Sequence, residues 1–76
     1  MLKLSEHWVR HLLMQPETGM GYQIALVELK DGQVFERVVI MGDEIHEVDR
    51  SPHIPFEVAD IHAIKVRSGL EWDRHR

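Results

Sequence analysis

Two apolar runs, 22–30 and 33–41, are separated by the single pair Asp31-Gly32. Asp-Gly between strand-like runs predicts a β-hairpin with a type I′ turn, which needs positive φ at both central residues. Ile24, Ala25, Leu26 and Val27 are all apolar, so a strand over 23–30 has both faces covered there and predicts a central position in its sheet. Beyond them Glu28 and Lys30 share one face and Leu29 takes the other, so one side opens to solvent. In the second run, strict alternation places Phe35, Val39 and Met41 with Arg37, and Val34, Val38 and Ile40 with Glu36. Apolar residues on both faces around a central charged pair predict a long bent strand.

Residues 4–14 read as an amphipathic helix, with Ser5 as N-cap and Glu6 at the positive end of the helix dipole. Trp8, Val9, Leu12 and Leu13 are expected to face inward, and His7, Arg10, His11 and Met14 outward. Pro16 ends the helix, which is too short to be stable undocked. A loop over 17–21 holds Gly19 and Gly21. After the hairpin come a Gly42-Asp43 turn, a strand over 44–48, and a loop over 49–55 with two prolines. A single turn over 56–60 precedes a closing strand, 61–67, in which His62, Ile64 and Val66 alternate with Ile61, Ala63 and Lys65. These elements predict a mainly β fold with an N-terminal α-helix, a small SH3-like or Sm-like barrel of four to five antiparallel strands. An open antiparallel sheet with the helix on one face is the alternative. The domain is expected over 1–67, and 68–76 is a charged C-terminal tail.

Seventy-six residues make one domain with a small core, which calls for oligomerisation, a metal or disulfides as reinforcement. There is no cysteine, which removes disulfides, thiol catalysis and cysteine-zinc sites. The formal net charge of −4 counts against a nucleic-acid binder without excluding a local basic patch. No apolar run approaches the ~20 residues that span a bilayer, and the N-terminus lacks signal-peptide features, so the expected location is cytoplasmic, away from membranes.

The segments Gly19-Met20-Gly21-Tyr22-Gln23, Leu29-Lys30-Asp31-Gly32, Ile54-Pro55-Phe56 and Asp60-Ile61 resemble a family of short uncharacterised bacterial proteins. That resemblance spans roughly 18–66 and implies a compact fold and bacterial origin, but no activity. The hairpin and closing strand also resemble, more weakly, the Sm-like proteins, which form rings and bind RNA. In that pattern a glycine marks the bend of the second strand, where this chain has Arg37. The Asp and Asn that follow in the Sm pattern have no counterpart near Gly42 to Ile45, so the likeness implies fold more than RNA binding.

Six histidines are dispersed along the chain. His7 and His11 stand four apart, the spacing that places two rings one helical turn apart and makes them a candidate metal pair. His53 or His62 would have to complete the site; otherwise the pair is two solvent-facing histidines. Asp43, Glu44, Glu47 and Asp49 surround His46, but alternation splits them between two faces, and calcium-loop spacing is absent. A solvated acidic edge that discourages strand-on-strand aggregation is the plainer reading. Ser5, Thr18, Ser51 and Ser68 lie in no nucleophile motif. Gly19 and Gly21 precede a strand, and no lysine with serine or threonine follows, so a phosphate cradle fails.

Arg37, Arg67, Trp72 and Arg74 are the candidate nucleic-acid contacts, combining cations with a stacking ring. Trp8, Leu70 and Trp72 are the candidate protein-interface residues, and Met14 with Met20 offers a second soft apolar surface. The expected function is therefore a protein-interaction or assembly module, a homo-oligomer or one bound to a protein partner, with no catalysis and no cofactor. Sm-like RNA or single-stranded nucleic-acid binding and histidine-based metal binding are the alternatives.

Overall fold

The computed structural model describes residues 1–15 and 21–67. The element order is β1 (Leu2–Lys3), α1 (Glu6–Leu13), β2 (Gln23–Leu29), β3 (Val34–Met41), β4 (Glu44–Val48), a 3-10 turn (Val58–Asp60) and β5 (Ile61–Arg67). The five strands form one antiparallel sheet in the order β1-β4-β3-β2-β5, curled into a half-barrel. The expected mainly β architecture with one N-terminal helix is therefore what the chain adopts. β2 is an interior strand, paired with β3 on one side and β5 on the other, in keeping with its doubly apolar stretch. β1 was not anticipated: Leu2 pairs with Ile45 and Lys3 with Glu44, and two residues carry no readable period. Among the described residues no helix is long and apolar enough to cross a membrane.

The turns depart from the sequence expectation in an instructive way. At Asp31-Gly32 only Gly32 has positive φ, at 95°. The Leu29 N–H donates to Gln33 O (2.8 Å) and the Gly32 N–H to Leu29 O (3.0 Å), a three-residue connection ending in a left-handed glycine rather than a type I′ pair. Asp31 is free to keep ordinary backbone angles because its carboxylate braces the loop instead. It accepts from the Gln33 backbone N–H (3.0 Å) and from Gln33 Nε2 (2.7 Å), and these two bonds hold its carboxyl below the usual range.

The paired left-handed residues occur elsewhere, at Asp49 (φ 51°) and Arg50 (φ 69°). Val48 and Ser51 exchange both backbone hydrogen bonds across them, at 2.9 and 3.0 Å, which closes a two-residue turn. Left-handed backbone costs an L-residue about 1–2 kcal/mol, and glycine is the preferred second residue of such a turn. Arg50→Gly is therefore expected to raise stability by about 0.5–1 kcal/mol after the greater unfolded-state freedom of glycine is subtracted. A thermal melt checks this. An unchanged or lowered Tm would mean that the Arg50 side chain contributes as much as its backbone costs.

Three bulges decide which side chains reach the core. The β2–β3 register shifts between Ala25 and Val27, so Glu36 and Arg37 together oppose Leu26. The β3–β4 register shifts between Val39 and Ile40, with His46 as the extra residue. The β2–β5 register shifts between Glu28 and Leu29, with His62 as the extra residue. Each bulge reverses the in-out alternation. Phe35 consequently joins Val38 and Ile40 at the core while Val34 is 49% exposed, contrary to the strict alternation read from sequence. Ile61 likewise joins Ile64 and Val66, and Ile45 reaches the same core as Val48 across an odd spacing. Glu44 and Glu47, opposite Met41 and Val39, are thereby brought to one face rather than split between two.

The core contains Ala25, Val27, Leu29, Val38, Ile40 and Ile45 from β2, β3 and β4, closed by Leu4, Leu12 and Phe56. Phe56 packs on Phe35 with ring centroids 5.3 Å apart and the planes tilted by 41°, within the range in which aromatic pairs attract. Glu57 and Asp60 form a reciprocal capping box that ends the proline loop and launches β5.

Candidate functional site: an apolar groove at the end of the helix

Helix α1 starts at Ser5, whose extended backbone (φ −72°, ψ 162°) suits an N-cap although its side chain makes no capping bond. Glu6 and Arg10 pair along the exposed side one turn apart. The inward arc holds Leu12, which is buried, with Trp8 and Val9 half-buried against the core. His11, expected outward, is half-buried, and its Nε2–H donates to the Ile64 carbonyl of β5 at 2.7 Å. That bond rotates the inward arc toward His11 and leaves Leu13, expected inward, 79% exposed. The helix end is tied down by Gln23, whose Nε2 donates to Leu12 O (3.0 Å), which also accepts from the Gln15 N–H (3.0 Å), and to Gln15 O (3.4 Å).

The end of α1, the start of β2 and the end of β3 thus stand around an open groove of about 420 Å³. Its walls include Leu12, Leu13, Tyr22, Gln23, Ile40 and Gly42. Leu13 is 79% exposed in this wall, and Met14, the next residue, is 84% exposed; neither methionine, Met14 nor Met41 (43% exposed), lines the groove itself. An exposed large apolar side chain beside an apolar groove is the kind of surface that a partner covers. A second groove of about 330 Å³ lies between the β2–β3 turn and the Pro55-Phe56 loop, bordered by Asp31 and Asp60. Both carboxylates there are engaged by local backbone: Gln33 N–H bonds Asp31, and Glu57 N–H bonds Asp60.

The other candidate residues fall as follows. Trp8 lies between two histidine rings, with His7 edge-on at 4.9 Å and His11 at 5.7 Å between centroids. His7 is exposed, and the Nε2 of His11 is committed to Ile64, which leaves its Nδ1 as the nitrogen open to a metal. His53 and His62 are exposed on other elements, and among the described residues no three histidine or carboxylate groups come together to hold an ion. Arg37 and Arg67 stand on β3 and β5, either side of β2. Arg37 is half-buried at its bulge, with Nε enclosed and without a hydrogen-bond partner. Arg74, Trp72, Leu70 and Met20 lie outside the described residues.

Of the exposed residues at the helix end, Met14 reads as exposed from the helix pattern, whereas Leu13 was missed because the helix is held by contacts distant in sequence, among them the Ile64 carbonyl 53 residues away. Comparison of the chain with known protein families, curated proteins and solved structures finds no match.

Proposed function

We propose that this chain is a small bacterial, cytoplasmic protein-interaction module that assembles with itself through the groove at the end of α1, as a binder rather than a catalyst. The observation that carries the reading is the open groove whose walls include Leu12, Leu13, Tyr22 and Ile40, with Leu13 79% exposed beside it and the helix end tied to β2 by Gln23. A 76-residue chain without cysteine gains most from covering such a surface with a partner. The bacterial origin rests on the family resemblance of residues 18–66.

The test is absolute mass in solution, by light scattering on a sizing column over a range of protein concentration. The wild-type chain is expected to shift from monomer to a larger species as concentration rises. Leu13→Asp, a change at an exposed position that leaves the core intact, is expected to hold it as a monomer. Identical masses for the two at every concentration would remove the groove from any assembly.

A further inference from the structure

We propose that the outer face of the sheet is a second self-contact, on which another copy of this chain seats its own outer face, with β4 of each copy lying over β5 of the other. The contact is separate from the groove and uses none of the residues that line it.

Residues directly opposite one another in a sheet point to the same side, so the register assigns this face. Ile24 pairs with Val39 and with Arg67, Val39 with Glu47, Leu26 with Lys65, and Met41 with Glu44. Their chain neighbours Ala25, Val27, Val38 and Ile40 fill the core on the other side, where Leu12 of α1 and Phe56 also pack. Ile24 (7% exposed) and Val39 (8%) stand outside that core cluster and form the centre of a second apolar layer. Val34 and Met41, the two large apolar residues of the strands that remain exposed, lie on this same face at the two ends of β3.

The charges on this face follow the strand order. β4 brings Glu44 and Glu47 to one flank, β5 brings Lys65 and Arg67 to the other, and β3 and β2 lie between. Lys3, on β1 beyond Glu44, is engaged by Asp43 at 3.9 Å. An apolar centre with charged flanks is the anatomy of a protein–protein contact. A second copy is the occupant because the face complements itself in one of its two possible two-fold stackings. A two-fold axis parallel to the strands, passing between β2 and β3, lays the acidic flank of each copy over the basic flank of the other. An axis across the strands would set acid on acid and base on base. The parallel axis also brings Arg37 of each copy, which opposes Leu26 together with Glu36, to the β2 strand that carries Glu28 of the other. Two separate self-contacts on one chain let it build species larger than a pair.

Charge around a small apolar centre makes this contact weaker than the groove and sensitive to salt, so it is tested by amide NMR of the full-length Leu13→Asp chain at millimolar concentration. In about 10 mM salt, where charges act over ~30 Å, the signals of Ile24, Val39, Glu47 and Lys65 are expected to shift with protein concentration; in about 1 M salt, where they act over ~3 Å, the shifts are expected to vanish. E44K/E47K makes both flanks basic and K65E/R67E makes both acidic. Each is expected to associate at least about tenfold more weakly than the parent, because like charges then face each other. The complete swap E44K/E47K/K65E/R67E exchanges the two flanks at unchanged net charge and is expected to regain the parent's association. Circular dichroism checks that each variant is folded, and E47K, K65E and E47K/K65E replace the set if a double change unfolds the chain. Signals independent of concentration in the parent would overturn the proposal. So would a complete swap as weak as its two halves, or halves that associate as well as the parent. The groove is judged separately, by the masses of the wild-type and Leu13→Asp chains at micromolar concentration, so either contact can fail without the other.

Discussion

Ile45→Ala is expected to remove a large share of the chain's folding stability. Ile45 is fully buried, and it joins two strand pairs at once, opposite Leu2 of β1 and Ile40 of β3. Truncating a buried isoleucine to alanine removes its transfer energy and leaves a cavity, together about 2–5 kcal/mol. A chain of 76 residues has only about 4–11 kcal/mol to lose, at ~0.05–0.15 kcal/mol per residue. The site cannot collapse cheaply, because the β4 bulge at His46 fixes where Ile45 enters the core. A urea titration followed by circular dichroism checks the expectation. A loss below about 1 kcal/mol would mean that β1 and β4 relax into the space, an outcome the shared pairing of Ile45 argues against.

His11→Ala is expected to destabilise the chain by about 1–3 kcal/mol, the cost of leaving a part-buried carbonyl without its donor. The bond matters beyond its energy because β5 is the edge of the sheet, and its outward carbonyls invite pairing with other chains. His11 occupies one of them and docks α1 in the same step. Two further consequences separate this role from simple packing. Hydrogen exchange in α1 is expected to accelerate more than in β2 or β3, because the helix is released while the sheet persists. His11→Gln, which retains a side-chain N–H donor, is expected to recover part of the loss. Equal exchange in helix and sheet, with no recovery by glutamine, would assign His11 to the cooperative core instead.

The two effects differ in kind. Ile45 lies where an apolar residue in a short strand is expected to be buried, and only its double pairing needed the fold. His11 reads from sequence as a polar-face residue of an amphipathic helix and as half of a possible metal pair. Its actual partner is a backbone carbonyl, which has no sequence signature at all. Helix periodicity specifies an apolar arc but tolerates a rotation of about 50°, a small part of a turn. Trp8, Val9 and Leu12 remain inward under such a rotation, whereas Leu13 and His11 exchange places. That exchange created the groove, so the candidate site was less legible than the fold.

The hairpins show the same division. Gly42, at φ 61°, and Gly32 mark their turns plainly, since glycine is the residue that takes left-handed backbone without strain. The turn at Asp49-Arg50 gave no such signal, because two L-residues are held there by the Val48–Ser51 pairing on either side. Local chemistry alone would have placed the type I′ geometry at Asp31-Gly32, where the Asp31 carboxylate instead bonds Gln33.

By itself the sequence determined that this chain is mainly β with one N-terminal helix, where four of the five strands lie, and that β2 is an interior strand. Those features follow from short-range periodicity, turn residues and a stretch apolar on both faces, all of which act within a few residues. Only the tertiary structure decided which faces of β3, β4 and β5 are buried, how α1 is rotated, and which apolar residues remain outside. Each of those depends on pairing between distant segments: one extra residue at Arg37, His46 or His62 reverses the alternation, and one carbonyl at Ile64 turns the helix.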